Sequence, residues 1–274
     1  MPMELKTEKD GGAEMKKIYI IMTSILLCII CVVVGISIFL KQDEVVQQPK
    51  EKISKKQVLS DKEQPSSSNE GKKVAYLTID DGPTEYMSKI LTALKKENVK
   101  ATFFLVGNRI TGDRKKDIKE AAEEGHSIGL HSMSHVAKRL YKDKQFIPEI
   151  EKESKLLNTI LDKKTKLVRA PYGSTYLNDD QVGQLKKDKY RLLDWNIDSE
   201  DWKHKGKPEK MVSFIKEELN KFKKISPVIL IHETEDLLKA IPDLVKTIRA
   251  KGFELKPYFE DNNFHLNFKK DPQL

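Results

Sequence analysis

The sequence predicts an α/β fold built on parallel strands, and three observations carry that expectation. From Val74 onward, short apolar runs alternate with longer amphipathic ones. No Gly-x-Gly-x-x-Gly follows the first run, which argues against a dinucleotide-binding sheet. Ionisable residues gather just past five of the runs, at the strand ends where parallel α/β folds place their chemistry.

The first element lies ahead of that body. Ile18 to Leu40 contains no charged residue. Its roughly 23 residues, at about 1.5 Å each, span a hydrocarbon layer of ~30 Å, so a transmembrane helix is expected. A cleaved signal peptide has a shorter apolar region and a small-x-small site. This run ends in Ile38, Phe39 and Leu40, so an uncleaved anchor is preferred. Lys16 and Lys17 abut one end and Lys41 the other, so flanking charge leaves the orientation almost balanced. The only two cysteines, Cys28 and Cys31, fall within the run. A disulfide framework and a thiolate metal site are thereby excluded from the rest of the chain. Residues 41–71 are polar, contain QQP and PSSSNEG, and read as a flexible linker. The formal charge of +8 suits association with anionic material. No block of Lys and Arg interleaved with aromatics marks a nucleic-acid reader.

The apolar runs of the body are VAYLTI (74–79), ATFFLV (101–106), SIGL (127–130), KLVRA (166–170), YRLLDWNI (190–197), VILI (228–231) and FEL (253–255). Helical patterns lie between most of them, among them Tyr86–Lys96, Ile147–Leu161 and Asp236–Lys251. Strand–helix alternation implies parallel strands buried on both faces. About seven such units predict a (β/α) barrel, with an open doubly wound sheet as the alternative.

Five clusters follow the strands. His131 and His135 are four apart, so on a helical turn they would share a face and reach one ion. With Asp81 from another strand end they make two imidazoles and a carboxylate, a set that leaves positions open for water and substrate. Catalytic zinc and non-haem iron both suit such a set. Neighbouring strand residues point to opposite sides, so Asp81 is assigned to the metal and Asp80 to the place of a general base. Arg169 is expected to pair with Asp80, keeping it ionised and oriented. Pro171, Tyr172 and Gly173 are expected to form a tight turn, with the Tyr172 N–H as the donor for a developing oxyanion. His232 pairs with Asp201, which raises its pKa and makes it a proton donor. Trp202 walls the cleft with a flat face suited to a sugar ring. His126, His204 and His265 show no comparable grouping.

TIDDG, HSMSH, RAPYG, DSEDW and ILIHE, in that order, resemble the five motifs of carbohydrate esterase family 4, the polysaccharide deacetylases with a NodB-like domain. The resemblance covers about residues 72–258 and implies a distorted (β/α) barrel. It implies that Asp80 is the base, that Asp81, His131 and His135 are metal ligands, and that Arg169 tunes Asp80 while Asp201 tunes His232, the acid. It adds Leu230, beside Trp202, as a lining of the acetyl pocket, and allows hydroxylation of Pro171. Two departures stand out, Glu233 after His232 where many relatives have Asp, and Leu130 before His131 where many have Asn.

The anchor and linker make the chain look like a Gram-positive peptidoglycan N-acetylglucosamine deacetylase. The expectation is therefore a single-pass protein of the cell membrane, with residues 1–17 cytoplasmic, an anchor at 18–40, a linker at 41–71 and an extracytoplasmic catalytic domain at 72–268. Its partner is a cell-wall glycan, it acts as a monomer, and no nucleic acid is involved. The ligand set suits zinc, with cobalt, nickel or manganese also accommodated. The rivals are a deacetylase of chitin oligomers, poly-N-acetylglucosamine or xylan, an inert wall-binding module, and an iron oxygenase. The last favours a β-sandwich that this alternation does not support.

Overall fold

The structure is a computed structural model that describes residues 73–274. The anchor expected at 18–40 and the linker at 41–71 lie outside the described residues; among those described, no helix is long and apolar enough to cross a membrane.

Each of the seven apolar runs becomes a strand, and the fifth becomes two. The strands are β1 (Lys73–Gly82), β2 (Thr102–Leu105), β3 (Ser127–Leu130), β4 (Leu167–Val168), β5 (Arg191–Leu192), β6 (Ile197–Asp198), β7 (Val228–His232) and β8 (Phe253–Lys256). The helices between them are α1 (Met87–Lys96), α2 (Arg114–Glu123), α3 (Phe146–Leu161), α4 (Asp179–Lys187), α5 (Pro208–Leu219) and α6 (Glu235–Ala250). Strand order is β5-β4-β3-β2-β1-β7-β6, with β8 also pairing β1, and every pairing is parallel.

The split of the fifth run decides between barrel and open sheet. β5 and β6 lie at opposite ends of the strand order yet are nearly consecutive in the chain. Leu193 N–H donates to Val168 O on the β4 side at 2.9 Å, and Asn196 N–H donates to Val228 O on the β7 side at 3.1 Å. Six inter-strand spacings of about 4.8 Å would set the edges of a flat sheet ~29 Å apart. The five Cα steps from Leu192 to Ile197 reach at most ~18 Å. The sheet therefore curls until its edges approach, and the chain bridges them where no β5–β6 ladder forms among the described residues.

Strand alternation sorts side chains to the two faces of this curl. Ala75, Leu77 and Ile79 of β1, with Phe103, Leu105, Ile229 and Ile231, join the core under the helices. α1 meets it with Met87, Ile90, Leu91 and Leu94, and α6 with Leu237, Ile241, Leu244 and Ile248. The inner face carries a smaller cluster of Phe104, Leu167, Leu193, Val228 and Tyr258. Tyr76 and Phe264 stack at 5.9 Å beside it, Tyr258 meeting Tyr76 edge-on at 5.2 Å. The same inner register brings Thr78, Asp80, Arg169 and His232 to the opposite, C-terminal end.

Local capping is well marked at α4, where Asn178 Oδ1 accepts the Gln181 N–H at 2.9 Å and Gln181 Oε1 accepts the Asn178 N–H at 3.1 Å. Asn178→Ala is expected to cost about 1 kcal/mol of stability, read by denaturant unfolding, with activity unchanged.

Candidate active site

Alternation alone would separate the Asp80 and Asp81 carboxylates, but the strand does not stay regular. The β1–β2 register shifts between Asp80 and Gly82, and Asp81 takes φ 69°. This irregularity turns both carboxylates toward one place, as a bulge does when it re-aims a side chain. Asp80 Oδ2 lies 3.7 Å and Asp81 Oδ1 3.6 Å from the same atom, His131 Nε2. Gly82 follows because a Cβ there would meet Glu233 Oε2 at 2.4 Å.

The histidine pair corrects the helical expectation. Residues 131–136 form a loop, with left-handed backbone at Ser132 (φ 69°) and His135 (φ 56°). The rings meet at 4.9 Å between centroids because the loop folds back, not because they share a helix face. His131 Nδ1 is 2.9 Å from Arg169 O, and a carbonyl only accepts, so Nδ1 carries the proton and Nε2 offers a lone pair. His135 Nε2 lies 3.3 Å from Asp81 Oδ1. Burial lowers both imidazoles to a pKa of about 4, so both are neutral near pH 7.

Asp81 Oδ1 is buried and accepts no hydrogen bond. Three lone-pair-bearing atoms thus converge without a donor between them, all within 4.8 Å of one another. Ligand atoms about 2.0–2.2 Å from a shared tetrahedral ion stand roughly 3.3–3.6 Å apart, which matches both Asp81–His separations. The donor set fits a divalent cation.

Arg169 is fully buried inside the barrel and spends its fork on four acceptors. Nη1 donates to Asp80 Oδ1 at 2.8 Å and Thr78 Oγ1 at 2.7 Å, Nε to Leu193 O at 3.0 Å, and Nη2 to Asp194 O at 3.0 Å. Its guanidinium also lies 4.2 Å over the Phe104 ring. Burial raises the Asp80 pKa above the usual carboxylate range; Arg169 and His232 oppose this without cancelling it. At Asp81 burial is outweighed by His135, His131, His232 and Arg109, and the pKa falls.

His232 stands beside Asp80 in the β1–β7 register, on the side of β1 away from β2 and β3. Its Nδ1 is 2.8 Å from Asp201 Oδ1, and its backbone N–H donates to Asp201 Oδ2 at 2.9 Å. Burial alone would lower this imidazole, but the Asp201 hydrogen bond and charge, with Asp81 and Asp80, raise it to about 9. Leu230 faces the same interior two residues earlier and is 5% exposed. Trp202 is 42% exposed, which removes core packing as its role. Tyr172 adopts φ 65°, its hydroxyl donates to His135 O at 2.9 Å, and its ring lies 4.8 Å from the His135 ring. Pro171 O accepts from the Tyr141 hydroxyl. His126 is buried away from the cluster, its Nδ1 accepting the Ala101 N–H at 3.0 Å.

Several site residues escaped the reading of the sequence. Thr78 lies two before Asp80 on the same strand face, so period-two alternation pointed to it. Arg109, whose Nη1 donates to Asp81 O, gave no local signal. Glu149 and Glu153 bind the histidine loop from α3, on its buried face.

Comparison with known proteins shows the family of the chain. The family model for polysaccharide deacetylase matches residues 67–193. A peptidoglycan-N-acetylglucosamine deacetylase of Bacillus cereus is 35% identical over 239 residues, covering 85% of this chain and 86% of its own length. The putative polysaccharide deacetylase YheN of Bacillus subtilis is 36% identical over 191 residues, 68% of this chain and 67% of its own. The crystal structure of polysaccharide deacetylase Bc1974 from Bacillus cereus superposes with a TM-score of 0.69 at 35% identity, covering 74% of this chain and all of that one. The chain belongs to the polysaccharide deacetylases, carbohydrate esterase family 4.

Proposed function

We propose that this chain removes N-acetyl groups from N-acetylglucosamine residues of peptidoglycan, with a divalent ion held by Asp81, His131 and His135. The observation that carries the reading is the unpartnered Asp81 Oδ1, 3.3 and 3.6 Å from two imidazole nitrogens and flanked by an Asp80–Arg169 pair and a His232–Asp201 pair. Similarity to the peptidoglycan-N-acetylglucosamine deacetylase of Bacillus cereus supports the substrate. Zinc suits the ligand set, and cobalt, nickel or manganese are the alternatives.

Such an ion supplies Lewis-acid polarisation of the acetyl carbonyl and eases deprotonation of water. The chain's own groups do the rest. Asp80, made more basic by burial, takes a proton from the attacking water as its oxygen bonds to the carbonyl carbon. The Tyr172 N–H, which meets no protein acceptor among the described residues, donates to the oxyanion. His232 gives its proton to the amide nitrogen as the C–N bond breaks, yielding acetate and a free amine. Leu230 borders the methyl group of the acetyl, Pro171 and Tyr172 border its other side, and the exposed face of Trp202 stacks on the sugar. The uncharged run at 18–40 and the linker at 41–71 tether the domain outside the cell membrane, beside the wall; this rests on the sequence.

Acetate release from purified peptidoglycan, chitin oligomers, poly-N-acetylglucosamine and acetylated xylan tests the reading. Peptidoglycan is expected to be preferred, with activity lost to a chelator and restored by zinc. Equal or better release from another polymer would transfer the assignment to it, and full activity in the chelator would remove the metal.

The pH profile gives a further expectation. Activity needs Asp80 ionised and His232 protonated, so it falls on the alkaline side as pH passes about 9. In Asp201→Asn, burial is no longer opposed by the Asp201 charge and the His232 pKa falls. The alkaline limb is expected to move to lower pH, with kcat at pH 8 down about 10–100-fold. An unmoved limb would assign the acid elsewhere.

A further inference from the structure

The loop that carries both metal-ligand histidines has an unusual support. α3 packs with Phe146, Glu149, Ile150, Glu153, Ser154 and Leu157 inward, so two carboxylates occupy a stripe whose spacing is that of a helix core. Glu153 is 0% and Glu149 3% exposed. Carboxylates in such positions carry a desolvation cost and persist where hydrogen bonds repay it.

Donors from the histidine loop offset part of it, although at Glu153 burial still outweighs them and holds the carboxyl well above the usual carboxylate range. Glu153 accepts the His131 N–H at 3.0 and 3.2 Å through its two oxygens, a donor it shares with Leu105 O at 2.9 Å. No Lys, Arg or His forms an ion pair with Glu153 among the described residues. Glu149 accepts the Ser134 N–H at 2.8 Å and the Ser134 hydroxyl at 2.8–2.9 Å, and pairs with Arg139. Two serines pass the restraint on. Ser132 Oγ accepts the His135 N–H at 3.0 Å, and Ser134 Oγ accepts the Val136 N–H at 3.3 Å. From the other side, Ser132 O and Met133 O accept the N–H groups of Gly107 and Asn108, each at 2.9 Å. Left-handed residues at Ser132 and His135 are held in place by these bonds, since neither is the glycine that adopts such backbone freely.

We propose that Glu149 and Glu153 are positioning residues of the metal site: two carboxylates of α3 fix the backbone of residues 131–136 so that His131 Nε2 and His135 Nε2 both face Asp81. They touch neither substrate nor ion. They set how much ordering the loop must undergo to bind the ion, and so govern metal affinity as well as folding. This rests on the metal reading given above.

The test measures zinc affinity of the full-length chain, by competition with a chromophoric chelator, alongside the thermal midpoint of the metal-free form. Glu153→Gln keeps the shape but turns an amide NH₂ toward backbone donors. It is expected to weaken zinc binding about 10–100-fold, the range for residues that orient metal ligands. Glu149→Gln is expected to do the same, and Glu153→Asp to recover part of the loss. Leu157→Ala, a core truncation on the same helix, is expected to lower the metal-free midpoint while zinc affinity stays within about twofold. If Glu153→Gln does not fold, Glu149→Gln and Ser134→Ala carry the same expectation from the other end of the loop. Native zinc affinity in folded Glu149→Gln and Glu153→Gln would overturn the proposal and leave the carboxylates a purely structural role. Zinc binding by the native chain that His131→Ala does not weaken would instead remove the metal reading, and this inference with it.

Discussion

Asparagine in place of Asp80 is expected to lower kcat for acetate release about 10²–10⁴-fold while the protein remains folded. The substitution changes one atom of a side chain that is 2% exposed, so packing is conserved. The asparagine oxygen still accepts from Arg169 Nη1, which donates to Asp80 Oδ1 at 2.8 Å in the native chain. What disappears is a basic lone pair next to the place of the attacking water. Burial makes the native carboxylate a stronger base than one in solvent, so the loss exceeds what an exposed carboxylate would show. Asp81, His131 and His135 are untouched, so zinc affinity should stay within a few-fold. That combination separates a lost base from a lost metal. The decisive measurements are kcat with peptidoglycan, zinc affinity and the unfolding midpoint of the same preparation. A variant retaining more than about a tenth of kcat would mean that another group takes the proton, and the assignment of Asp80 would be abandoned.

The contrast between Asp80 and the residues around it shows where the sequence was informative. Composition and period placed all seven strand-forming runs, because buried parallel strands leave continuous apolar stretches that few other structures produce. The TIDDG and HSMSH strings located the ionisable groups, but the helical turn expected for the histidine pair is a loop, and what turns both aspartates to one place is an irregularity of the strand. Ideal alternation would have separated Asp80 from Asp81, and an ideal helical turn would have joined His131 to His135. A register shift and two left-handed residues do the joining instead. Such features depend on partners far along the chain. The histidine loop is held by Glu149 and Glu153 of α3, by the Tyr172 hydroxyl and by the backbone at Gly107 and Asn108.

The run at 190–197 shows the same limit. Its apolar character suggested one strand, but Asp194 and Asn196 interrupt it. Asp194 accepts from Ser174 N–H, Ser174 Oγ and Phe268 N–H, and Asn196 Oδ1 accepts the Val228 N–H at 2.7 Å. Those polar residues mark the point where the chain leaves one edge of the sheet for the other. They were visible in the sequence as exceptions to the pattern. So were Glu149 and Glu153 on the buried stripe of α3. Arg109 was not, because its meeting with Asp81 is set only by how β1 and β2 are paired.

Arg169→Met should have the largest effect on stability of any substitution considered, because it removes a buried cation and leaves its anion behind. Met replaces the aliphatic stem as far as the position of Nε but lacks the guanidinium carbon that lies over Phe104. It supplies no donor for Asp80, Thr78 Oγ1, Leu193 O or Asp194 O, all of which Arg169 satisfies. Breaking a buried ion pair by removing one partner costs about 3–5 kcal/mol. For a domain of this size that lowers the unfolding midpoint by on the order of 10 °C. The activity follows from the same electrostatics. Burial already raises the Asp80 pKa, and Arg169 is the leading influence holding it down. Without the guanidinium the carboxyl stays protonated to higher pH, so the acidic limb of kcat/KM moves upward. Arg169→Lys keeps the charge but cannot reproduce a planar fork to four acceptors, and is expected to fall between the two. The double variant Asp80→Asn/Arg169→Met no longer buries an unpaired carboxylate, so it should be more stable than Arg169→Met alone, a coupling that independent sites would not show. An unshifted acidic limb in Arg169→Met, at whatever stability, would mean that Arg169 holds the strands together without tuning the base.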